Sequence, residues 1–129
     1  MKKLLTILTL LAISNLAIAL TPAIEGDWGT QQSANGILFD MTFSIHNNRL
    51  TLINVCSMYG QSATAQVTST VTYDDTNLTI QEAHQDQVSN AGVSCNVSVQ
   101  PDQLQYVVQG NQLILIKPGS NQSFVLIRR

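Results

Sequence analysis

Apolar and polar side chains alternate with a period of two along most of the chain beyond residue 25. The clearest run covers residues 37–46 and places Ile37, Phe39, Met41, Phe43 and Ile45 on one face. This is the period of a β-strand that buries one face. No later segment has the apolar stripe of an amphipathic helix. The sequence therefore predicts an all-β protein.

Residues that favour tight turns separate the alternating segments. Asn-Asn and Gly-Asn pairs adopt the left-handed backbone conformations that short hairpin turns require. The polar segment 85–92 has no such alternation and is expected to be the longest loop. Turns are expected at residues 47–48, 59–60, 74–77, 101–102, 110–111 and 118–121.

These turns divide the chain into eight or nine strands, counting a first strand near residues 26–32. Short connections force consecutive strands to pair antiparallel, which gives a meander. Closing the meander removes its unprotected edges, so the pattern favours a closed eight-stranded barrel. A two-sheet sandwich is the alternative, although it usually needs longer crossover connections. We expect residues 20–129 to form this one domain, because the chain is too short for a second core.

The first 19 residues have the pattern of a secretory signal peptide. Lys2 and Lys3 provide a positive start, an apolar stretch follows, and Ala17-Ile18-Ala19 supplies the small residues that signal peptidase accepts. An uncleaved anchor is the alternative, but the apolar stretch is near the lower limit for a bilayer span. Cleavage after Ala19 predicts export to the bacterial periplasm or the medium, with no membrane span afterwards.

Charge and cysteine content further limit the classes of protein to which this chain can belong. The chain has six Lys and Arg, two of them in the signal peptide, against eight Asp and Glu, so residues 20–129 carry four positive and eight negative charges, a net charge of −4. No basic patch remains to bind nucleic acid. Two cysteines in an exported chain, Cys56 and Cys95, predict one structural disulfide. A reactive or metal-bound thiolate is the alternative, but there is no Cys-x-x-Cys motif and no His near either cysteine in sequence.

The polar residues do not assemble into a recognisable catalytic set. The chain has no Gly-x-Ser-x-Gly, no His-Glu-x-x-His and no phosphate-binding glycine-rich loop. Glu82, His84 and Asp86 would share one face of a strand and could hold a divalent cation there, but in a polar loop they favour an exposed charged patch. His46 is expected to be solvated at a hairpin. The sequence therefore predicts no enzyme, no metal site and no cofactor.

A ligand cavity is the remaining kind of site. We expect Phe39, Met41 and Phe43 to form the packed core of a small barrel rather than the wall of a cavity. Asn54 falls on the same face as the apolar residues of its strand, and if that face points inward it is a buried amide that needs partners. Two tyrosines are further candidates at the rim. The candidate ligand contacts are Asn54, Tyr59 and Tyr106.

Gly26-Asp27-Trp28 opens the first strand and resembles the Gly-x-Trp signature of lipocalins and related calycin barrels. In that family the Trp closes one end of the barrel and an Arg of the last strand packs across its ring. The resemblance implies these roles for Trp28 and Arg128, an arrangement that cation–π attraction favours. The size is similar to that of bacterial periplasmic metalloprotease inhibitors, whose N-terminal arm enters the protease. Here residues 20–25 form only a short stub, and the Cys56–Cys95 spacing differs from that group.

Together these observations predict an exported, non-enzymatic small β-barrel that binds a partner protein or a small apolar ligand. The alternative is an inhibitor or neutralising protein that blocks a hydrolase by surface contact. A cavity larger than about 300 Å³ would favour a small ligand. A filled barrel with an exposed apolar patch would favour a protein partner.

Overall fold

Residues 23–129, which the computed structural model describes, form ten β-strands. Within most strands buried and exposed side chains alternate, as the period of two predicts. The signal peptide predicted over residues 1–19 lies outside the described residues. The strands are β1 (Gly26–Ala34), β2 (Ile37–His46), β3 (Arg49–Met58), β4 (Gln61–Tyr73), β5 (Asn77–Ile80), β6 (His84–Asn90), β7 (Val93–Val99), β8 (Asp102–Gln109), β9 (Gln112–Ile116) and β10 (Ser123–Arg128).

Eight of these strands close into an antiparallel barrel in the order β1-β10-β9-β8-β5-β4-β3-β2. The predicted all-β closed barrel with one disulfide is confirmed. The meander is interrupted once, because β5 pairs with β8 and the intervening β6 and β7 form a separate hairpin. The prediction of a loop at residues 85–92 is wrong, since β6 occupies most of it.

The β6–β7 hairpin packs against the inner face of β3 and β4. β5 pairs only with the last three residues of β4, so the long first part of β4 has no barrel neighbour on that side. The hairpin covers this part with a buried row on β7 that includes Val93 and Val97. Cys95 of the same row forms a disulfide with Cys56 of β3, and both residues are buried. The disulfide therefore joins the hairpin to the barrel wall.

Three polar side chains, one just before β6 and two within it, hydrogen-bond to backbone groups of β4. No backbone ladder joins β6 to β4. Each of the three polar side chains lies four residues after the previous one, which explains why the segment is strand-like although it lacks apolar alternation. These bonds also protect the free edge of β4 from pairing with another chain. The bonds are Thr70 N to Glu82 Oε1 (2.9 Å), Gln66 N to Asp86 Oδ2 (2.9 Å) and Asn90 Nδ2 to Ser62 O (2.8 Å).

Trp28 closes the end of the barrel opposite the hairpin. Its indole is fully buried, and Nε1 donates a hydrogen bond to the carbonyl of Ile24, which is itself fully buried (2.9 Å). The Arg128 guanidinium carbon lies 4.1 Å from the centroid of the Trp28 ring. Arg128 also donates to the carbonyls of Glu25 and Ala23 (both 3.4 Å). This one side chain thus fastens the last strand to the segment that precedes β1.

Two glycines of β1 leave space for the two C-terminal arginines. A β-carbon on Gly26, whose φ is +141°, would lie 2.7 Å from Nη1 of Arg128. A β-carbon on Gly29 would overlap the side chain of Arg129, which crosses the outer face of β1 to form an ion pair with Asp40. The first position of the Gly-x-Trp sequence therefore requires glycine for steric reasons, because Arg128 passes directly over it.

We expect Trp28→Ala to lower the free energy of unfolding by about 3–5 kcal/mol, because truncation of a buried aromatic side chain leaves a cavity. Urea denaturation followed by circular dichroism measures this loss. Trp28→Phe is the matched variant, since it keeps a ring beneath Arg128 and removes the indole hydrogen bond. We expect its loss to be clearly smaller. A loss below about 1 kcal/mol for Trp28→Ala would show that the barrel end does not depend on this ring.

We expect replacement of both cysteines, Cys56→Ala with Cys95→Ala, to lower stability by about 4 kcal/mol. This figure is the loop-closure entropy of a cross-link between positions 39 residues apart. Thermal unfolding should shift downward by several degrees or more. A reducing agent should lower the melting temperature of the unmodified protein and leave that of the double variant unchanged. Equal melting temperatures for the two proteins would contradict a stabilising role of the disulfide.

Candidate ligand-binding cavity

The barrel encloses a cavity of about 620 Å³. Phe39, Met41 and Phe43 of β2 are partly buried and pack against the core, as the sequence predicts, and their remaining surface forms one wall of the cavity. Most of the other inward-facing residues around the cavity are aliphatic. They are Leu50 and Leu52 of β3, Ile80 of β5, Val99 of β7, Leu104 of β8, Leu115 of β9 and Leu126 of β10.

The barrel wall around the cavity has a gap in its backbone pairing, because β1 and β10 do not pair along most of their length. The two strands pair at only two positions, both at the closed end, one of them Trp28 opposite Arg128. If this antiparallel register continued, Gln32 would lie opposite Phe124, but no such pair forms. Phe124 instead lines the cavity with 54% of its surface exposed. We call this gap the β1–β10 seam, and its inward-facing residues are Thr30, Gln32, Phe124 and Leu126.

Polar side chains form part of the cavity lining, most of them at or beside the β7–β8 and β9–β10 connections. Among them is a single pair of opposite charges, with Nζ of Lys117 3.8 Å from Oδ2 of Asp102. Both side chains are exposed enough for water to weaken their attraction, so the pair contributes little to stability and is accessible to a ligand. The polar residues of the cavity lining are Thr30, Gln32, Ser98, Gln100, Asp102, Lys117, Gln122 and Ser123.

The three candidate ligand contacts lie outside this cavity lining. Asn54 is buried between β3 and β7, where Nδ2 donates to the carbonyl of Asn96 (2.9 Å) and Oδ1 has no partner among residues 23–129. Tyr59 is 94% exposed at the turn between β3 and β4. Tyr106 is buried near the closed end and donates a hydrogen bond to the carbonyl of Asp74. Asn54 thus helps to fix the hairpin. The two tyrosines have different surroundings, since one is exposed to solvent and the other is buried.

Alternation alone could not have identified the cavity. Alternation correctly assigns the inward faces of the strands. Whether the inward side chains touch and fill the barrel depends on the separation of β1 and β10 and on the position of the β6–β7 hairpin. Neither feature leaves a local pattern in the sequence. A barrel of eight strands is wide enough either to be filled by its own side chains or to hold one small ligand. Rows of apolar side chains on the inward faces of the strands are compatible with a filled barrel and with a ligand cavity.

Two polar clusters bring together acidic side chains and histidine. Glu82 and Asp86 are used in hydrogen bonds to β4, and His84 lies 4.0 Å from Glu82. In the described part of the chain no three His, Cys, Asp or Glu side chains are placed to hold a metal ion. At the closed end, Oδ1 of Asp27 accepts hydrogen bonds from Ser44 Oγ (2.7 Å) and interacts with His46 Nε2 (3.2 Å). The serine bonds to the carboxylate rather than to the imidazole, which is not the order of a Ser-His-Asp triad.

Hydrogen bonds hold the carboxylates of the closed end in their ionised form. The hydroxyl of Tyr73 (2.7 Å) and the amide of Asn47 (2.9 Å) donate to Glu25, and these bonds lower the pKa of Glu25. The hydroxyl of Ser44 likewise lowers the pKa of Asp27. Glu25, which precedes β1, is therefore attached to the β2–β3 turn and to β4 by bonds that favour its ionised form.

We expect the protein to lose stability on acidification. The folded pKa values of Glu25 and Asp27 are lowered, so their stabilisation is present above the unfolded values, near pH 4, and is lost as the pH falls through the folded values. Urea denaturation at pH 7 and at pH 3 measures the difference. Glu25→Gln should reduce it, since glutamine does not titrate. Equal stability at the two pH values would contradict the expectation.

No family model, curated protein sequence or solved structure matches this chain. The closed eight-stranded barrel is compatible with a lipocalin-like barrel. The buried disulfide is weakly consistent with an exported protein. Over residues 23–129 there is no helix of the length and apolar character needed to cross a membrane.

Proposed function

We propose that this protein is an exported, non-enzymatic, lipocalin-like barrel that binds one small and predominantly apolar ligand. The observation that carries the proposal is the cavity of about 620 Å³. Its volume lies in the range of roughly 300–1,000 Å³ that small-molecule sites occupy. It is also well above the threshold of about 300 Å³ that separates a small-ligand site from a filled barrel.

The lining of the cavity supports an apolar ligand. Aromatic, methionine and aliphatic side chains form its walls, and transfer of apolar surface from water into such a site contributes about 25 cal/mol for each Å² buried. The polar residues form the remainder of the lining, where they can hydrogen-bond to a polar group of the ligand and fix its orientation. The Arg128–Trp28 contact supports the lipocalin-like assignment, because it joins the first and last strands at the closed end.

The alternative, inhibition of a hydrolase by surface contact, has one supporting observation. The outer face of β8, β9 and β10 carries Val107, Ile114 and Val125 in one cross-strand row. Val107 and Val125 are each more than 40% exposed, and Ile127 adds to the same face. Exposed apolar side chains in a group mark surfaces that contact other proteins.

Native mass spectrometry of protein purified from its own host without denaturation separates the two candidates. An added mass that is lost on unfolding would identify a bound small ligand and support the proposal. A protein without added mass, captured instead in a complex with a hydrolase, would support the alternative.

We expect Met41→Trp to weaken the binding of the fluorescent apolar probe 8-anilino-1-naphthalenesulfonate at least about tenfold, because the indole fills space that the probe needs, a loss of about 1.4 kcal/mol. Val107→Trp is the matched control, since it adds the same side chain to the outer wall. Fluorescence titration gives the dissociation constants, and near-ultraviolet circular dichroism verifies that both variants are folded. Equal weakening by the two variants would place the probe outside the cavity and contradict the proposal.

A further inference from the structure

The β1–β10 seam is bordered by two strand edges without backbone partners. The amide of Arg129 donates to the carbonyl of Asp27 (2.9 Å), which shows which residues of β1 point towards β10. Because successive residues of a strand point alternately to the two neighbours, Gln31 and Ser33 also direct their backbone groups towards β10. Val125 does the same from the other side, and no pair joins it to β1. The seam is therefore a gap between strands that elsewhere would be hydrogen-bonded.

The other side of the cavity is held in place. The β6–β7 hairpin borders the cavity through Ser98 and Val99, but the Cys56–Cys95 disulfide and the bonds of its polar side chains attach it to β3 and β4. Moving this hairpin would break several interactions together. A change at the seam needs no such disruption, since the edges there are already separate.

Phe124 is the bulky side chain at this gap. It shares the inward face of β10 with Leu126, which is 2% exposed, whereas Phe124 is 54% exposed. The side chain opposite, Gln32, is also exposed. Rotation of an exposed side chain is fast and costs little compared with movement of a strand. One phenyl ring thus partly covers the gap and can move aside without change in the barrel.

We propose that ligands enter and leave the cavity through the β1–β10 seam and that Phe124 controls the rate of this exchange. The inference rests on the proposed function, because it concerns the same cavity. A side chain that obstructs the path slows both entry and exit, so its removal raises the association rate as well as the dissociation rate. A residue of the cavity wall acts differently, since its removal weakens the bound state and raises mainly the dissociation rate.

Stopped-flow fluorescence with 8-anilino-1-naphthalenesulfonate tests the proposal on the disulfide-bonded protein. We expect Phe124→Ala to raise the association rate constant by about tenfold and the dissociation rate constant by at least as much, because Phe124 also lines the cavity. Phe39→Ala, a wall variant, should raise mainly the dissociation rate constant. Tyr59→Ala removes an exposed aromatic side chain far from the seam and should change neither rate.

The outcomes separate this proposal from the proposed function. If the unmodified protein does not bind the probe, the proposed function fails and the exchange route fails with it. If the probe binds but Phe124→Ala changes neither rate, or only the dissociation rate, the exchange route is overturned and the cavity site stands. Hydrogen exchange provides a measurement without any variant. The amides of Gln31 and Val125 should exchange much faster than those of β3, and equally slow exchange would show a closed seam and overturn the proposal.

Discussion

The contact between Arg128 and Trp28 is the interaction on which the architecture depends. β1 and β10 share only two paired positions, so the backbone contributes little to closing the barrel. The guanidinium adds a cation–π contact and two carbonyl bonds at the same place, over a fully buried indole. Gly26 permits this approach because it has no β-carbon. Closure is thus concentrated at one end, and the opposite ends of the same two strands are free to separate.

That asymmetry explains how one fold combines a closed, buried end with a cavity. The closed end contains the fully buried side chains Ile24 and Trp28, and its acidic residues are held by hydrogen bonds. The other end holds the cavity, its polar lining residues and the unpaired edges of the seam. Elements of low local stability are commonly those that ligands use.

Much of the fold follows from local sequence pattern, and the site follows from it only in part. Alternation over residues 37–46 and the Asn47-Asn48 turn correctly predict β2 and its hairpin with β3. The alternation of apolar and polar residues did not predict β6, because the side chains of β6 bond to β4 instead of entering a core. Local sequence pattern could not predict the open seam either. Phe124 belongs to a regular inward-facing row, and its exposure results from the position of β1. Interactions between distant segments decide such features, and one sequence shows only the residues that take part.

The closing contact also determines when folding can be completed. Arg128 and Glu25, which it bonds, are 103 residues apart in the chain. Contacts of such long sequence separation are slow to form, because the entropy of the intervening loop is lost before any bond repays it. The β2–β3–β4 hairpins can assemble early from neighbouring segments, whereas the first strand must wait for the last. A chain that is synthesised in the amino-to-carboxyl direction therefore carries an open sheet, with β1 unpaired on one side, until its final strand has been made.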